Sequence, residues 1–229
     1  IMANISAVTT EISILKPTDT TLVLLPLHHI FPLLGSMVVS CYTGARMAIS
    51  PSMLSEDIIK TMQDNKVSTI MGVPRLYAAI RRGIMDKINK SVVAKLLYRL
   101  AAKVNSYKFS RIVFATVHKK FGGNISFLIC GGAALDPAVG RDFQILGFEI
   151  LEGYGMTEAA PMICFTRPGR IVVGSAGAPL ECCQVDFVDD EIIVKGPNVM
   201  QGYYNRPEET AEVIKDGWLY TGDLGYLDK

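Results

Sequence analysis

The chain has 229 residues, which is enough for one or two domains with a buried core. Its hydrophobic content of 49% lies at the apolar end of the range for soluble globular proteins, and its net charge is only +1. The five cysteines include no CxxC pair. This argues against a disulfide framework and a zinc site, and predicts reduced thiols in a cytoplasmic protein.

Four apolar runs have the composition of strands, and each of them ends in a loop. They are residues 21–26, 68–74, 125–130 and 148–151. Helical patterns separate them. Strands that alternate with helices predict the α/β class, with a mostly parallel layered sheet and flanking helices.

The clearest predicted unit is strand 125–130, helix 137–146 and strand 148–151. Asp136 before Pro137 is typical of a helix start, and Gly147 is typical of a helix end. The carboxyl ends of parallel strands meet at one edge of a sheet. The two glycine-rich loops that follow these strands should therefore lie side by side.

Residues 75–120 contain twelve Lys or Arg and one acid, a net charge of +11, against −10 for the rest of the chain. Most of this segment has a helical pattern. Its second half carries an apolar stripe, which we expect to pack on the sheet: Val92, Val93, Leu96, Leu97 and Leu100. The alternative is a peripheral contact between the basic helices and an anionic membrane.

The apolar segment 22–39 raises the question of a membrane span. It contains Pro26, His28, His29 and Pro32, which suit a spanning helix poorly, so we expect no span there.

From about residue 171 the pattern changes to short strands and turns. The runs 184–188 and 191–196 flank Asp189 and Asp190, and 205–214 has the composition of a short helix. We therefore predict an α/β subdomain over 1–168 and a small antiparallel β subdomain over 169–229.

The stretch EGYGMTE could be a tight turn or a ligand site. Gly153 and Gly155 would let the backbone approach a flat ligand, and Tyr154 could stack on a purine or pack in the core. Thr157 offers a hydroxyl to phosphate, and Glu158 offers the hard oxygen ligands that Mg²⁺ prefers.

Two further residues have two interpretations each. Asp223 in TGD could accept hydrogen bonds from both hydroxyls of a ribose, or it could be a surface turn residue. His29 could be a core histidine, which is slightly favoured, or a polar group in a site.

Six phrases, in this order, resemble motifs of the adenylate-forming acyl-CoA synthetase superfamily: PLHHIF, GVPRLY, GGAALD, EGYGMTE, GPNVMQGYYNRPEET and DGWLYTGDLGYLD. The resemblance covers essentially the whole chain. GYGMTE and GWLYTGD together are highly specific for this family. The stretch VPRLYAAIRRGIMDKI is similar to the long-chain fatty acid branch.

The resemblance implies activation of a carboxylic acid with ATP and Mg²⁺, followed by acyl transfer to CoA. It implies an adenine site framed by Gly131, Gly132, Ala133, Ala134, Glu152, Gly153, Tyr154 and Gly155, with Tyr154 against the ring. It further implies that Thr157 holds phosphate, Glu158 binds Mg²⁺, Asp223 holds the ribose hydroxyls and His29 lies near the reacting carboxylate. Thr157, Glu158 and His29 are thus the expected catalytic residues.

The family's phosphate loop, which ends in Lys, and its C-terminal domain match no part of this chain. We therefore interpret the chain as an internal part of the large N-terminal domain, and we expect it to form no acyl-adenylate by itself.

The expected substrate is a long-chain fatty acid. Amino-acid-activating relatives carry Asp where this chain has Ile30, so an amino acid is disfavoured, and Ile30, Phe31 and Leu33 favour an aliphatic chain. A medium-chain or aryl acid and a noncatalytic nucleotide- or lipid-binding role are the alternatives. No nucleic acid partner is expected. The predicted location is the cytoplasm, with the inner face of a membrane as the alternative.

Overall fold

The structure is a computed structural model that describes residues 1–228. Lys229, the last residue of the predicted β-rich subdomain, lies outside the described residues. Within 1–228, no helix is both long enough and apolar enough to cross a membrane. The five cysteines are free thiols.

The described chain forms a seven-stranded and a four-stranded sheet. The strands of the larger sheet are β1 Thr20–Val23, β2 Arg46–Ile49, β3 Thr69–Gly72, β4 Phe127–Cys130, β5 Ile150–Gly155, β6 Met162–Phe165 and β7 Ala178–Pro179. Those of the smaller sheet are β8 Gln184–Val188, β9 Glu191–Lys195, β10 Ile214–Lys215 and β11 Trp218–Leu224.

Helices precede, separate and follow these strands. The first is α1 Met2–Ser6, continued by a π-helical stretch, Ala7–Ile12. Next come α2 Ile30–Pro32, the π-helical Leu33–Val38 and α3 Val39–Thr43, which follow one another directly. The others are α4 Ser55–Asp64, α5 Pro74–Asn89, α6 Val92–Val104, α7 Tyr107–Val113, α8 Ala115–Lys120, α9 Pro137–Ile145 and α10 Pro207–Val213, with a short 3₁₀ turn at Thr157–Ala159.

The larger sheet has the order β2-β1-β3-β4-β5-β6-β7. The pairs from β2 to β5 are parallel, whereas β5/β6 and β6/β7 are antiparallel. The predicted α/β class with a mostly parallel sheet is confirmed.

Both faces of the central parallel strands β3 and β4 are covered, whereas the edge strand β2 is mostly exposed. Along β4, Leu128 and Cys130 pack into a core with α5 and α9, while Ile129 packs into a second core with the N-terminal helical segment. This alternation is expected for successive side chains of a strand, and burial on both faces explains why these strands are almost continuously apolar.

The predicted β4–α9–β5 unit is confirmed, although each of its strands begins two residues later than predicted. The Asp136 carboxylate accepts a hydrogen bond from the Ala138 backbone N–H at 2.8 Å and caps α9. Gly147 follows the helix with φ of +80°, a conformation that favours glycine. β4 and β5 are parallel neighbours in which Cys130 is opposite Glu152.

The expectation that residues 152–155 form a loop is wrong. β5 continues to Gly155, and its second half pairs with β6, with Gly153 opposite Phe165. The apolar pattern ends at Leu151 because the later residues of this strand are only half-buried, so their strand conformation leaves no apolar signal.

The prediction that the apolar stripe of α6 packs on the sheet is also wrong. Val92, Val93, Leu96 and Leu100 are exposed, whereas Ala94, Tyr98 and Ala101 face the core. The helix buries its small and aromatic face because Tyr98 donates a hydrogen bond to Asp142 of α9.

The smaller sheet is antiparallel, as predicted. β8 and β9 form a hairpin whose turn residues, Asp189 and Asp190, have φ of +51° and +66°. Two positive φ values match the twist of a two-residue hairpin. β7 pairs with β6 in the larger sheet, and the predicted division after residue 168 stays a prediction.

Candidate nucleotide and acyl site

A cleft of about 440 Å³ lies at the carboxyl edge of the larger sheet. It is bordered by the segments that follow β1, β3 and β4 and by the end of β5, as expected for a ligand site in an open parallel sheet. Its lining includes seven of the predicted site residues: His29, Gly131, Gly132, Gly153, Tyr154, Gly155 and Thr157. The rest of the lining is almost entirely apolar: Leu25, Pro26, Ile30, Phe31, Pro32, Val73, Met156, Pro161, Met162 and Phe165.

His29 is exposed and lines the cleft, so the core interpretation of this residue is wrong. It directly precedes α2, and its ring lies 4.2 Å from that of His28, centroid to centroid. Phe31, two residues on, covers the end of β4. A Cβ on Gly131 would approach its ring to 3.1 Å.

The segment after β4 offers open backbone to the cleft. Gly132 has φ of +83°, and the nearest atom to a Cβ placed there would be 3.9 Å away, on Val73. The strain on any other residue would therefore come from the backbone itself. Ala133 and Ala134 are exposed and do not line the cleft.

Gly153 and Gly155 are glycines for a different reason, which is the lack of space for a side chain. A Cβ on Gly155 would lie 1.9 Å from the Pro161 carbonyl oxygen, and one on Gly153 would lie 2.9 Å from the Phe165 ring. These glycines are required by the close approach of β6, as well as by the cleft that they border.

Tyr154 connects the cleft to the smaller sheet. Its hydroxyl donates a hydrogen bond of 2.8 Å to Oδ2 of Asp223, which is exposed on β11. Burial raises the pKa of the Tyr154 phenol, and the Asp223 carboxylate raises it further, so this hydroxyl remains a donor. Asp223 thus stands next to the predicted adenine site, and its Oδ1 has no partner among residues 1–228.

Thr157 and Glu158 lie on the 3₁₀ turn after β5, and the loop before α10 holds this turn in place. The Met200 N–H donates to the Glu158 carbonyl oxygen at 2.7 Å. The Tyr203 hydroxyl donates to Glu158 Oε1 at 2.8 Å, and this bond to a carboxylate raises the pKa of Tyr203. The Glu158 side chain is therefore oriented before any ligand binds.

Glu152 does not line the cleft. Its Oε1 accepts a hydrogen bond from the Gly174 N–H at 3.4 Å, and burial raises the pKa of its carboxyl group. The structure places this side chain against the loop that contains Gly174. The predicted contact between Glu152 and adenine stays a prediction.

Two residues that shape the site, Tyr203 and Asn198, are given no role by the sequence prediction. Tyr203 orients Glu158, and the Asn198 side chain donates to the Met162 carbonyl oxygen at 3.1 Å behind the same turn. Both belong to the phrase GPNVMQGYY, which resembles the family without showing a chemical role. Their contacts span about forty residues of sequence, so no local pattern reports them.

Among residues 1–228, no three His, Cys, Asp or Glu side chains are arranged to hold a metal ion. A single oriented carboxylate, Glu158, fits Mg²⁺ nevertheless. This ion commonly takes one or two protein carboxylates and completes its coordination with substrate phosphates and water.

Comparison with known proteins agrees with this geometry. The family model described as AMP-binding enzyme matches residues 1–204. The chain is 33% identical to long-chain-fatty-acid–CoA ligase 1 from Homo sapiens, over 91% of this chain and 33% of that protein. It is 31% identical to the peroxisomal long chain acyl-CoA synthetase 7 from Arabidopsis thaliana, over 98% of this chain and 36% of that protein.

Solved structures share the fold. ATP-bound MatB from Rhodopseudomonas palustris has a TM-score of 0.77 at 25% identity, and the match covers all of this chain and 41% of that one. The o-succinylbenzoate CoA synthetase MenE from Bacillus subtilis, in complex with the acyl-adenylate intermediate OSB-AMP, has a TM-score of 0.73 at 25% identity, over 98% of this chain and 42% of that one.

The chain spans about a third of the length of the curated relatives that it matches. The family match covers most of the chain. The solved neighbours are adenylate-forming CoA ligases, and the match to their fold covers almost all of this chain. The chain therefore belongs to the AMP-binding family of adenylate-forming acyl-CoA ligases.

Proposed function

We propose that the protein containing this chain activates a long-chain fatty acid and joins it to CoA. A carboxylate oxygen of the acid attacks the α-phosphorus of ATP, and the bond to the bridging oxygen breaks, so pyrophosphate leaves. The sulfur of CoA then attacks the acyl carbon, and AMP leaves. The observation that carries the proposal is one cleft that joins an open glycine backbone, the Thr157 hydroxyl and a broad apolar wall.

The nucleotide would occupy the side of the cleft formed by the ends of β4 and β5. In this proposal Tyr154 packs against adenine, while Asp223, held by the Tyr154 hydroxyl, accepts hydrogen bonds from the ribose. The Thr157 hydroxyl, exposed at the cleft, donates to phosphate. His29 would lie close to the reacting carboxylate.

Glu158 would hold Mg²⁺. Bound there, the ion would offset the charge that builds up when an anionic carboxylate approaches an anionic phosphate. The chain contributes a carboxylate that Tyr203 already holds in place, so little side-chain ordering remains to be done on binding.

The acyl chain would lie against the apolar wall of the cleft. The aliphatic side chains of this wall suit a methylene chain, and the two relatives reported above are named for long-chain acids. A second apolar space beyond Phe31, beside Leu34, Met71 and Ile129, has only about 10 Å³ and is too small to hold an acyl chain. We place the reaction in the cytoplasm.

Thioester formation by the full-length protein tests this proposal. Purified protein is assayed with ATP, Mg²⁺, CoA and saturated acids of increasing length, with benzoate as the aryl acid and heat-inactivated protein as the blank. We expect kcat/KM to be highest for a long chain. Highest turnover on benzoate or a medium-chain acid would contradict the substrate, and the absence of any AMP release would contradict the activity.

A further inference from the structure

α6 presents an aliphatic face that no other described residue of the chain covers. Its side chains are exposed at 84% (Val92), 66% (Val93), 66% (Leu96), 44% (Leu100) and 46% (Val104). A spacing of mostly four residues places them along one side of the helix, over a length of about 18 Å. We call these five residues the α6 stripe.

The orientation of α6 is fixed from the inside. Tyr98 and Arg81 both donate to the carboxylate of Asp142, so α5, α6 and α9 share one polar contact. Asp142 is buried, and burial together with this hydrogen bond raises the pKa of Tyr98. Turning the stripe inward would remove the Tyr98 hydrogen bond from the buried Asp142 carboxylate and leave Arg81 as its remaining partner, which is unfavourable.

Basic side chains border the stripe. Lys95, Arg99 and Lys103 follow each other every four residues along one flank, and all three are exposed. Within residues 1–228 none of them forms a salt bridge. From 92 to 120 the chain has seven Lys or Arg and no acid, so this surface is strongly positive.

We infer that the α6 stripe, together with Lys95, Arg99 and Lys103, docks the protein on an anionic phospholipid surface. Aliphatic side chains on one side of a helix can enter the boundary between head groups and acyl chains, while the neighbouring cations contact anionic head groups. A second copy of the chain suits the surface less well, because two such positive surfaces repel each other. The inference does not depend on the proposed substrate.

Sedimentation of the full-length protein with vesicles tests the inference. Vesicles of phosphatidylcholine with and without phosphatidylserine are compared at low and high salt. We expect binding that needs phosphatidylserine and weakens with salt. The triple variant Lys95→Glu, Arg99→Glu, Lys103→Glu should lower the partition coefficient by at least about tenfold, and Leu96→Ser should lower it about threefold or more.

A matched triple variant controls for net charge. Lys16, Lys60 and Arg170 are exposed elsewhere on the protein, and their exchange for Glu should leave binding almost unchanged. Thermal unfolding checks that each variant folds. The inference would be overturned if the protein did not bind phosphatidylserine vesicles at low salt, or if both triple variants lost vesicle binding equally. It would also be overturned if light scattering showed that the protein is a dimer and that Leu96→Ser dissociates it.

Discussion

The two glycine-rich segments that border the cleft differ in what their glycines do. After β4, the backbone turns at Gly132 with φ of +83°, and the space where a side chain would point is open. In β5, Gly155 is part of a strand, and a Cβ there would meet the backbone of Pro161 at 1.9 Å. In the parallel part, glycine is needed because the backbone adopts a positive φ. In the antiparallel part, glycine is needed because there is no space for a Cβ.

The difference extends to the polar residues. The parallel part supplies open backbone and apolar walls, whereas the antiparallel part and the smaller sheet hold the charged groups, Glu158 and Asp223, through tyrosine hydroxyls. The large sheet therefore determines where a ligand fits, and hydrogen bonds from two tyrosines orient the groups that would act on it.

Gly155→Ala should destabilise the protein far more than Gly132→Ala. The first change forces β5 and β6 apart, and we expect the free energy of unfolding to fall by at least about 3 kcal/mol. The second change adds only the cost of a left-handed alanine, about 1 kcal/mol. Urea unfolding of both variants measures the difference. Equal losses would mean that the contrast between the two segments is wrong.

Glu158→Gln in the full-length protein should impair adenylation without affecting folding. The amide oxygen can still accept the Tyr203 hydrogen bond, but the charge that would hold Mg²⁺ is lost, so we expect kcat to fall by about a hundredfold or more. Pyrophosphate exchange at saturating ATP and fatty acid measures this loss of adenylation activity.

Tyr203→Phe is the matched control for that change, because it keeps the carboxylate and removes only the group that orients it. We expect a loss of about tenfold, partly recovered at high Mg²⁺ concentration. Unchanged turnover and an unchanged Mg²⁺ requirement in Glu158→Gln would place the metal site elsewhere.

Tyr154→Phe should weaken ATP binding modestly. The ring that would pack on adenine is kept, while the hydrogen bond to Asp223 is lost, so we expect KM for ATP to rise about fivefold, with kcat almost unchanged. Tyr154→Ala, which also removes the ring, should raise KM further. If Tyr154→Phe and Tyr154→Ala had the same KM for ATP, the ring would not contribute to ATP binding.

The two parts of the protein should also differ in thiol reactivity. The neighbouring Cys183 thiol and the Asn4 amide lower the pKa of Cys182, whereas burial raises the pKa of Cys130, on β4, to about 12. Alkylation by iodoacetamide should therefore modify Cys182 well before Cys130, at a rate that rises with pH because the thiolate is the reactive form. Peptide mass spectrometry, with Cys182→Ser as control, measures the order of modification. Earlier modification of Cys130 would contradict it.

Local signals predicted much of the fold. Asp136–Pro137 and Gly147 mark the ends of α9 because capping and a left-handed residue are properties of a few adjacent residues. The adjacency of the two glycine-rich segments followed from parallel pairing alone. The extent of β5 was not predictable because its second half is a strand only through pairing with β6, and no apolar pattern marks it. The outward face of α6 was not predictable because it depends on Asp142, 44 residues after Tyr98.

The fold class, the family and the residue types of the site can be predicted from the chain alone, because apolar periodicity and motif order are local properties of the sequence. The exposure of His29 in the cleft and the hydrogen bonds of Tyr154 to Asp223 and of Tyr203 to Glu158 depend on the folded chain. The two hydrogen bonds join side chains 69 and 45 residues apart, which only the packing of distant segments brings within reach of each other. The outward orientation of the α6 stripe has the same kind of cause, since a buried carboxylate selects which face of the helix turns inward.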